Sequence, residues 1–381
     1  MAGNQFTLTP DQRDLQARFR AFAAREVAPL AARHDREQRL DRSLVDLLAK
    51  QNMLAAQIPA ASGGPGLDAV GYGLLHEEIG RACSSTRSLL TVHDMVTESV
   101  WRWGDQTLRS TWLPSLLCGS TLAAFALSEP EAGSDAAAIA TRAEPVPGGH
   151  SFRLTGTKRW ISFGQLADVF LVFARTPEGV SAFLVERDRP GVTVEPLHDM
   201  LGTRGAMLAQ LSFQDCEVPR ANLVGRPGRA HPFLVTHALT LGRYSVACGS
   251  VGIVQACLDA ATAHATARGT MRHQLVQRML ADMVIAARAG RMLALRAGEL
   301  AAHRSPEAPL AATEAKYFCG RAAADAARDA VQVLGAAGCS PDHPVARYYR
   351  DAKVMEIIEG SNEVSQTMIG RFGHTDRSST P

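Results

Sequence analysis

The chain has little of what marks most specialised protein classes. Its seven cysteines, Cys83, Cys118, Cys216, Cys248, Cys257, Cys319 and Cys339, include no C-x-x-C pair. Neither a zinc site nor a disulfide framework can be read from such spacing, and buried thiols are the expectation. Charge of one sign is lacking too: 40 Lys plus Arg against 38 Asp plus Glu leave a formal charge of +2. That balance excludes a nucleic-acid phosphate backbone as the main partner. No unbroken apolar run approaches the roughly 18 residues of a membrane span. The first thirty residues, MAGNQFTLTPDQRDLQARFRAFAAREVAPL, are interrupted by charge too often for a secretory signal, so the cytoplasm is the expected location. No Gly-x-Gly-x-x-Gly follows a strand pattern and no P-loop is present. With 381 residues, 46% of them hydrophobic, the chain can bury a large core arranged as two or three domains or as distinct layers.

The hydrophobic pattern changes twice along the chain. Residues 1–120 read as helical: Thr9, Pro10 and Gln12 form a T-x-x-Q capping box, and Leu15, Phe19 and Phe22 follow on one helical face. A second helix begins near Asp41, and after the Gly63 to Gly66 break a long helical stretch runs from about Ala69 to Cys118. Residues 121–230 carry short apolar runs separated by Gly, Pro and Asp. Strands are expected at 123–127, 151–155, 158–161, 169–174, 181–186, 192–196 and 208–213. Residues 231–381 return to Ala-rich helices with breaks at Ser305-Pro306 and Gly335 to Pro344, ending in a polar tail from His374. Helices, then strands, then a bundle exclude a parallel βαβ nucleotide fold.

Three strings carry the chemistry: Phe125-Ala-Leu-Ser-Glu-Pro-Glu-Ala-Gly-Ser-Asp135, Lys158-Arg-Trp-Ile-Ser162 and Arg350-Asp-Ala-Lys-Val-Met-Glu-Ile-Ile-Glu-Gly-Ser-Asn-Glu363. The first places a hydroxyl and several backbone N–H groups on a tight turn, suited to a flat polar ring or a carbonyl, although such a string alone reads equally well as an ordinary turn. An isolated Trp160 is more often core. In the third, Glu359 lies beside Ile357, Ile358 and Gly360. Desolvation there can raise a carboxylate toward the basicity needed to remove a proton α to a thioester, whereas a lone Glu at a helix end is more often solvated surface.

In order and spacing, these strings resemble the acyl-CoA dehydrogenase family of flavoproteins along nearly the whole chain. The resemblance implies a mainly α fold with a central all-β domain: an N-terminal helical domain, a β-barrel-like middle domain and a C-terminal four-helix bundle. It implies FAD, contacted by Phe125, Leu127, Ser128, Ser134, Trp160, Ile161 and Ser162, with Trp160 over a flavin face and Ser162 at the N5 edge. It makes Glu359 the α-proton base, since Glu359-Gly360-Ser361 matches the family's Glu-Gly-Thr/Ser string. The earlier-helix base position of other members, just before an Arg, is filled here by Gly242. Ser134, Arg243 and Gly360 fall on the substrate side. Gln332, Gly335 and Ala336 match the segment that meets the adenosine-pyrophosphate of a neighbouring subunit's FAD, and Ser361 and Glu363 match contacts near the same cofactor. The family's Arg-x-x-Phe-Gly is shortened here to Ala267-Arg-Gly-Thr-Met-Arg-His-Gln274, where Arg268 stands for the pyrophosphate contact and Met271 for the aromatic packing. No metal is implied, and a homodimer or homotetramer is expected.

Ala82-Cys-Ser-Ser-Thr-Arg-Ser-Leu-Leu89 and the Tyr349 to Ser361 string look more like dehydrogenases of polyketide extender-unit pathways, which act on short acyl groups carried by acyl carrier protein. Arg288, Arg291 and Arg296 are candidates to meet an acidic carrier protein, although arginines on helix faces are usually only solvated. An electron acceptor is also required. The alternatives are a dehydrogenase of free short-chain acyl-CoA and a flavin monooxygenase on the same fold, which needs no α-proton base; a non-catalytic flavin-binding protein is the outside reading.

Overall fold

The computed structural model describes residues 8–373, and the polar tail from His374 lies outside them. Thr9 caps α1 (Pro10–Phe22): its side chain accepts from the Gln12 N–H while the Gln12 side chain accepts from the Thr9 N–H. The chain then passes through one π-helical turn, Ala23–Val27, straight into α2 (Ala28–Glu37). Sequence periodicity misses that continuation, because the extra residue of a π turn rotates the apolar stripe. After α3 (Arg42–Lys50) come α4 (Ala69–Ala82), α5 (Ser84–Trp103) and α6 (Gln106–Leu117), so the long stretch expected to end near Cys118 is three helices broken at Cys83 and Gly104.

The strands are β1 (Ala123–Ala126), β2 (Arg142–Pro145), β3 (Ser151–Ile161), β4 (Val169–Thr176), β5 (Gly179–Glu186), β6 (Val192–Pro196), β7 (Ala209–Pro219) and β8 (Leu223–Val224). They form one sheet in the order β6-β7-β3-β2-β4-β5-β8, with β1 paired in parallel to β4. The two runs expected at 151–155 and 158–161 are a single strand, whose register against β7 shifts between Leu154 and Gly156 and again between Lys158 and Ile161. β2 and β8 escape the sequence reading: β2 alternates one buried residue with exposed ones, and β8 is two residues long.

The C-terminal part consists of α7 (Thr236–Ala267), α8 (Gln274–Ala302), α9 (Ala308–Leu334), the short α10 (Ala336–Cys339), α11 (Pro344–Met355) and α12 (Asn362–Phe372). The segment Ala230–Ala267 reaches a mean hydropathy of 1.4 over 18 residues, enough by length and composition to cross a membrane. The expectation of no such segment holds for unbroken apolar runs and fails for mean hydropathy. Two thirds of that window is buried, however, and α7 is the central helix against which α4, α5, α8 and α9 pack. Small residues permit this closeness: a Cβ on Gly80 of α4 would stand 2.7 Å from the Cα of Gly249 on α7. All seven cysteines are free; Cys118 and Cys339 are exposed, which corrects the expectation of buried thiols for these two.

Candidate active site

The site begins where β1 runs out of the sheet. Phe125 packs edge-tilted on Phe173, centroids 4.9 Å apart, and joins Leu239 of α7 at the junction of two hydrophobic cores. Leu127 is buried, Ser128 half-buried and Ser134 exposed on the loop that follows. This loop is pinned from below. Lys158, wholly buried on β3, donates to the Leu127 carbonyl at 3.0 Å and to Glu129 Oε1 at 2.7 Å, and Glu129 also accepts from the backbone N–H groups of Ala140 and Thr141. Burial pushes Lys158 down to about 8 despite Glu129. The Arg159 N–H donates to the Ser128 carbonyl at 3.0 Å, so the first two strings lie side by side. The register shift after Lys158 puts Trp160 at φ 58°, leaving its indole 44% exposed between buried Lys158 and buried Ile161. Ser162 is half-buried.

Glu359 occupies the turn between α11 and α12, with φ 56°, followed by Gly360 at φ 97°. A left-handed Glu costs about 1 kcal/mol, and two cations hold the turn against it. Arg243 Nε donates to the Glu359 carbonyl at 3.1 Å, and Lys316 Nζ, from α9, donates to the carbonyls of Glu356 at 3.1 Å and Gly360 at 2.6 Å. Glu359 is half-buried as a residue, yet its Oε2 is sealed from solvent and has no hydrogen-bond partner. Burial pushes its carboxyl up to about 7, against the opposing pull of Arg87, Arg243 and Lys316.

The enclosure differs from the sequence reading. Ile357 is 57% exposed, so it does not supply the enclosure, while Ile358 is half-buried against the core of the C-terminal helices. It comes from α7: a Cβ built on Gly242 would stand 2.2 Å from Glu359 Oε2 and 2.4 Å from its Cδ. The position of the alternative base is thus the space that the Glu359 carboxylate fills.

The remaining expected residues lie apart. Ser361 caps α12, accepting from the Val364 N–H at 3.4 Å. Glu363 is exposed in the first turn of α12, its carboxyl below the usual range through its own backbone N–H and the Ser361 hydroxyl. Arg268 ends α7, Gln332 lies in the last turn of α9, Gly335 follows it and Ala336 opens α10; all four are exposed. At 1.5 Å per residue, the 26 residues from Gly242 to Arg268 span roughly 39 Å along one helix. Arg268 therefore lies far along α7 from the Glu359 turn of its own chain. Arg291 and Arg296 are engaged within the chain, with Glu77 and with Glu307 and Glu314, which leaves Arg288 as the one exposed candidate of the three without a recorded partner among the described residues. The sequence reading missed Arg87, Lys316 and the Lys158–Glu129 pair; a lysine or arginine inside an apolar helical or strand pattern was the available signal.

The geometry suits a flat, polar ring. The Trp160 indole is exposed beside it, the hydroxyls of Ser128, Ser134 and Ser162 make no hydrogen bond among the described residues, and a Cβ at Gly133 would meet open space. Comparison with known proteins is decisive about the class. Family models for the acyl-CoA dehydrogenase N-terminal, middle and C-terminal domains match residues 9–120, 124–216 and 234–373. The mitochondrial short-chain specific acyl-CoA dehydrogenase of Mus musculus is 36% identical over 375 residues, covering 96% of this chain and 90% of the relative. FkbI, solved in the context of biosynthesis of the methoxymalonyl extender unit of the polyketide FK520, is 35% identical with a TM-score of 0.84, covering 94% of this chain and 98% of that one. A glutaryl-CoA dehydrogenase of Mycobacterium smegmatis in complex with FADH2 is 27% identical with a TM-score of 0.92, covering 98% and 97%. The fold is that of a flavin-dependent dehydrogenase. The chain belongs to the acyl-CoA dehydrogenase family, whose members are oxidoreductases acting on acyl thioesters with FAD as cofactor.

Proposed function

We propose that this protein oxidises a short acyl thioester carried by an acyl carrier protein, with Glu359 as the α-proton base. The carrying observation is the Glu359 carboxylate, sealed against Gly242 with an unpartnered oxygen and pushed up to about 7. A base at that value is half ionised near neutrality and strong enough to share the proton of an activated α carbon. Bound FAD supplies the hydride acceptor. Around it, Ser128 and Ser162 offer hydroxyls to the ring edge, Trp160 covers a face, and the Lys158–Glu129 pin holds the loop that presents Ser134. Arg243 and Lys316 fix the Glu359–Gly360 turn so that the carboxylate faces inward. Short chain length is supported by the 36% identity to the mouse short-chain enzyme, and the carrier-protein substrate by the similarity to FkbI. Arg268 and the Gln332 to Ala336 segment serve the FAD of a second copy, which fits the exposed Leu275, Ile285, Met292 and Phe318 on α8 and α9. A cytoplasmic location fits the same reading. The test is anaerobic mixing of the FAD-loaded protein with short acyl thioesters on carrier protein and on CoA, followed at the flavin absorbance. Bleaching faster with carrier-bound thioesters supports the reading; faster bleaching with CoA thioesters moves it to a free acyl-CoA dehydrogenase.

A further inference from the structure

The corner where α5 ends and α7 begins carries charge of one sign. Arg102 on α5 and Arg109 on α6 are exposed, and so are Arg226 and Arg229 on the segment leading from β8 into α7. A backbone hydrogen bond joins the two stretches: the Gly225 N–H donates to the Trp103 carbonyl at 3.1 Å. His237, in the first turn of α7, is a second link. Its ring stands edge-on to the Trp103 indole, centroids 5.4 Å apart, and bonds Glu98 Oε2 at 3.0 Å. Arg102 Nε donates to the same oxygen at 2.8 Å, and its guanidinium lies 5.2 Å from the centre of the Trp101 ring. Arg109 Nη2 donates to the Arg102 carbonyl at 3.2 Å. Trp101, Arg102, Trp103 and Arg109 together line a concavity of about 400 Å³.

The carboxylates at hand do not neutralise this corner. Glu98 is shared between Arg102 and His237, and Asp105 accepts from the Leu108 N–H as the cap of α6. Glu178, whose carbonyl underlies Gly228, stands at the edge and makes no ion pair among the described residues. Arg226 and Arg229 have no side-chain partner among those residues either. The chain as a whole is nearly balanced, at +2, so the excess here is local.

The corner also opens onto the acyl site. Ala230, Leu234 and Val235 share a core with Leu127 and with Ala132 of the loop that presents Ser134, while Phe233 beside them is 55% exposed. From His237, α7 runs five residues, about 7.5 Å, to Gly242 and the Glu359 carboxylate. Beyond that point α7 is buried without a break from Leu241 to Val254, whereas Thr236 is exposed. The way out from Glu359 along α7 therefore leads to this corner. Arg288, by contrast, lies three residues from Ile285 and four from Met292 on α8, on the face given above to the second copy.

We propose that this corner, with Arg102, Arg109, Arg226 and Arg229 around Trp101 and Trp103, is the docking surface for an acidic acyl carrier protein, which passes its acyl arm into the site beside Phe233. This rests on the carrier-bound reading of the substrate. Complementary charge steers such an encounter and fixes its register. Tryptophan and arginine are also the side chains enriched where protein interfaces hold most of their energy, and two indoles beside four arginines suit a protein surface better than phosphates alone.

The test uses the FAD-loaded protein and one butyryl group presented on a purified acidic acyl carrier protein, on CoA, and on pantetheine, which has neither protein nor phosphate. Flavin bleaching is followed anaerobically in the wild type and in the double variant Arg226→Glu/Arg229→Glu, whose altered side chains are exposed. With the carrier-bound group, KM should rise about 10-fold or more in the variant at unchanged kcat, because like charges then face each other. The wild-type KM for the carrier should rise with salt, and the variant should lose that dependence. Kinetics with the pantetheine thioester should stay as in the wild type. A carrier KM that does not move in the variant overturns the docking surface and leaves the carrier-bound reading intact. A loss on CoA as large as on the carrier assigns the arginines to the CoA phosphates, and an equal loss on pantetheine assigns them to the fold; either overturns the proposal. A wild type that prefers the CoA thioester overturns the carrier-bound reading itself.

Discussion

Gly242→Ala separates the chemistry of Glu359 from the stability of the fold. In the interior of a long helix, Gly to Ala raises helix propensity by about 1 kcal/mol, so α7 gains rather than loses. The single added methyl, however, would stand 2.2 Å from Glu359 Oε2, 2.4 Å from Cδ and 3.0 Å from Oε1. Ordinary van der Waals contact needs about 3.4 Å or more, so the carboxylate must retreat by about 1 Å. The backbone of the turn is not free to carry it away, because Arg243 and Lys316 hold the carbonyls of Glu356, Glu359 and Gly360. Misplacement of a reacting group by about 1 Å costs on the order of 10²-fold in rate. Stopped-flow bleaching of the bound flavin by a short acyl thioester should therefore slow by about that factor or more. Flavin content and melting temperature should be unchanged or slightly raised. Near-normal bleaching in Gly242→Ala would show that the carboxylate is not working from this position and would refute the assignment of the base.

Other outcomes follow from the same geometry. For the free enzyme, kcat/KM should climb with rising pH through about 7 and level off above it, because Glu359 acts only after losing its proton and burial sets that value; Glu359→Gln should remove the limb together with most of the bleaching, while Glu363→Gln should loosen FAD before it slows chemistry. Lys158→Met leaves Glu129 buried without its partner, a loss of about 3–5 kcal/mol, so thermal denaturation should begin markedly earlier and FAD should dissociate on gel filtration. A charge placed on the exposed face of α8, Ile285→Asp, should lower the sedimentation coefficient and the FAD content together, whereas a wild-type monomer holding a full complement of FAD would contradict the role given to Arg268 and Gln332.

What the sequence discloses and what it hides divide along physical lines. Caps and turn residues act over three or four positions, so the Thr9 capping box and the ends of most strands can be read directly. The π turn at Ala23–Val27, the bulged continuity of β3 and the two-residue β8 depend on partners remote in the chain, and local pattern is silent about them. The same divide runs through the site. The Glu359-Gly360-Ser361 string is legible, and so is the absence of a side chain at Gly242, but their meeting is not. It takes α7, α5, α9 and the turn before α12 to bring Gly242, Arg87, Lys316 and Glu359 together, from positions as far apart as residues 87 and 359.

Two of the three glycines of α7, Gly242 and Gly249, give that convergence its sense. At 242 the missing side chain admits an acid, and seven residues later, at 249, another admits a guanidinium. A helix in the middle of a core gains nothing in propensity from either. Each instead creates a place where a charged group is held out of water without a full set of partners: Oε2 of Glu359 in one case, Nε of Arg87 in the other. Burial without partners raises the carboxylate toward neutrality and leaves the guanidinium short of a counter-charge. The central helix tolerates both costs on one face.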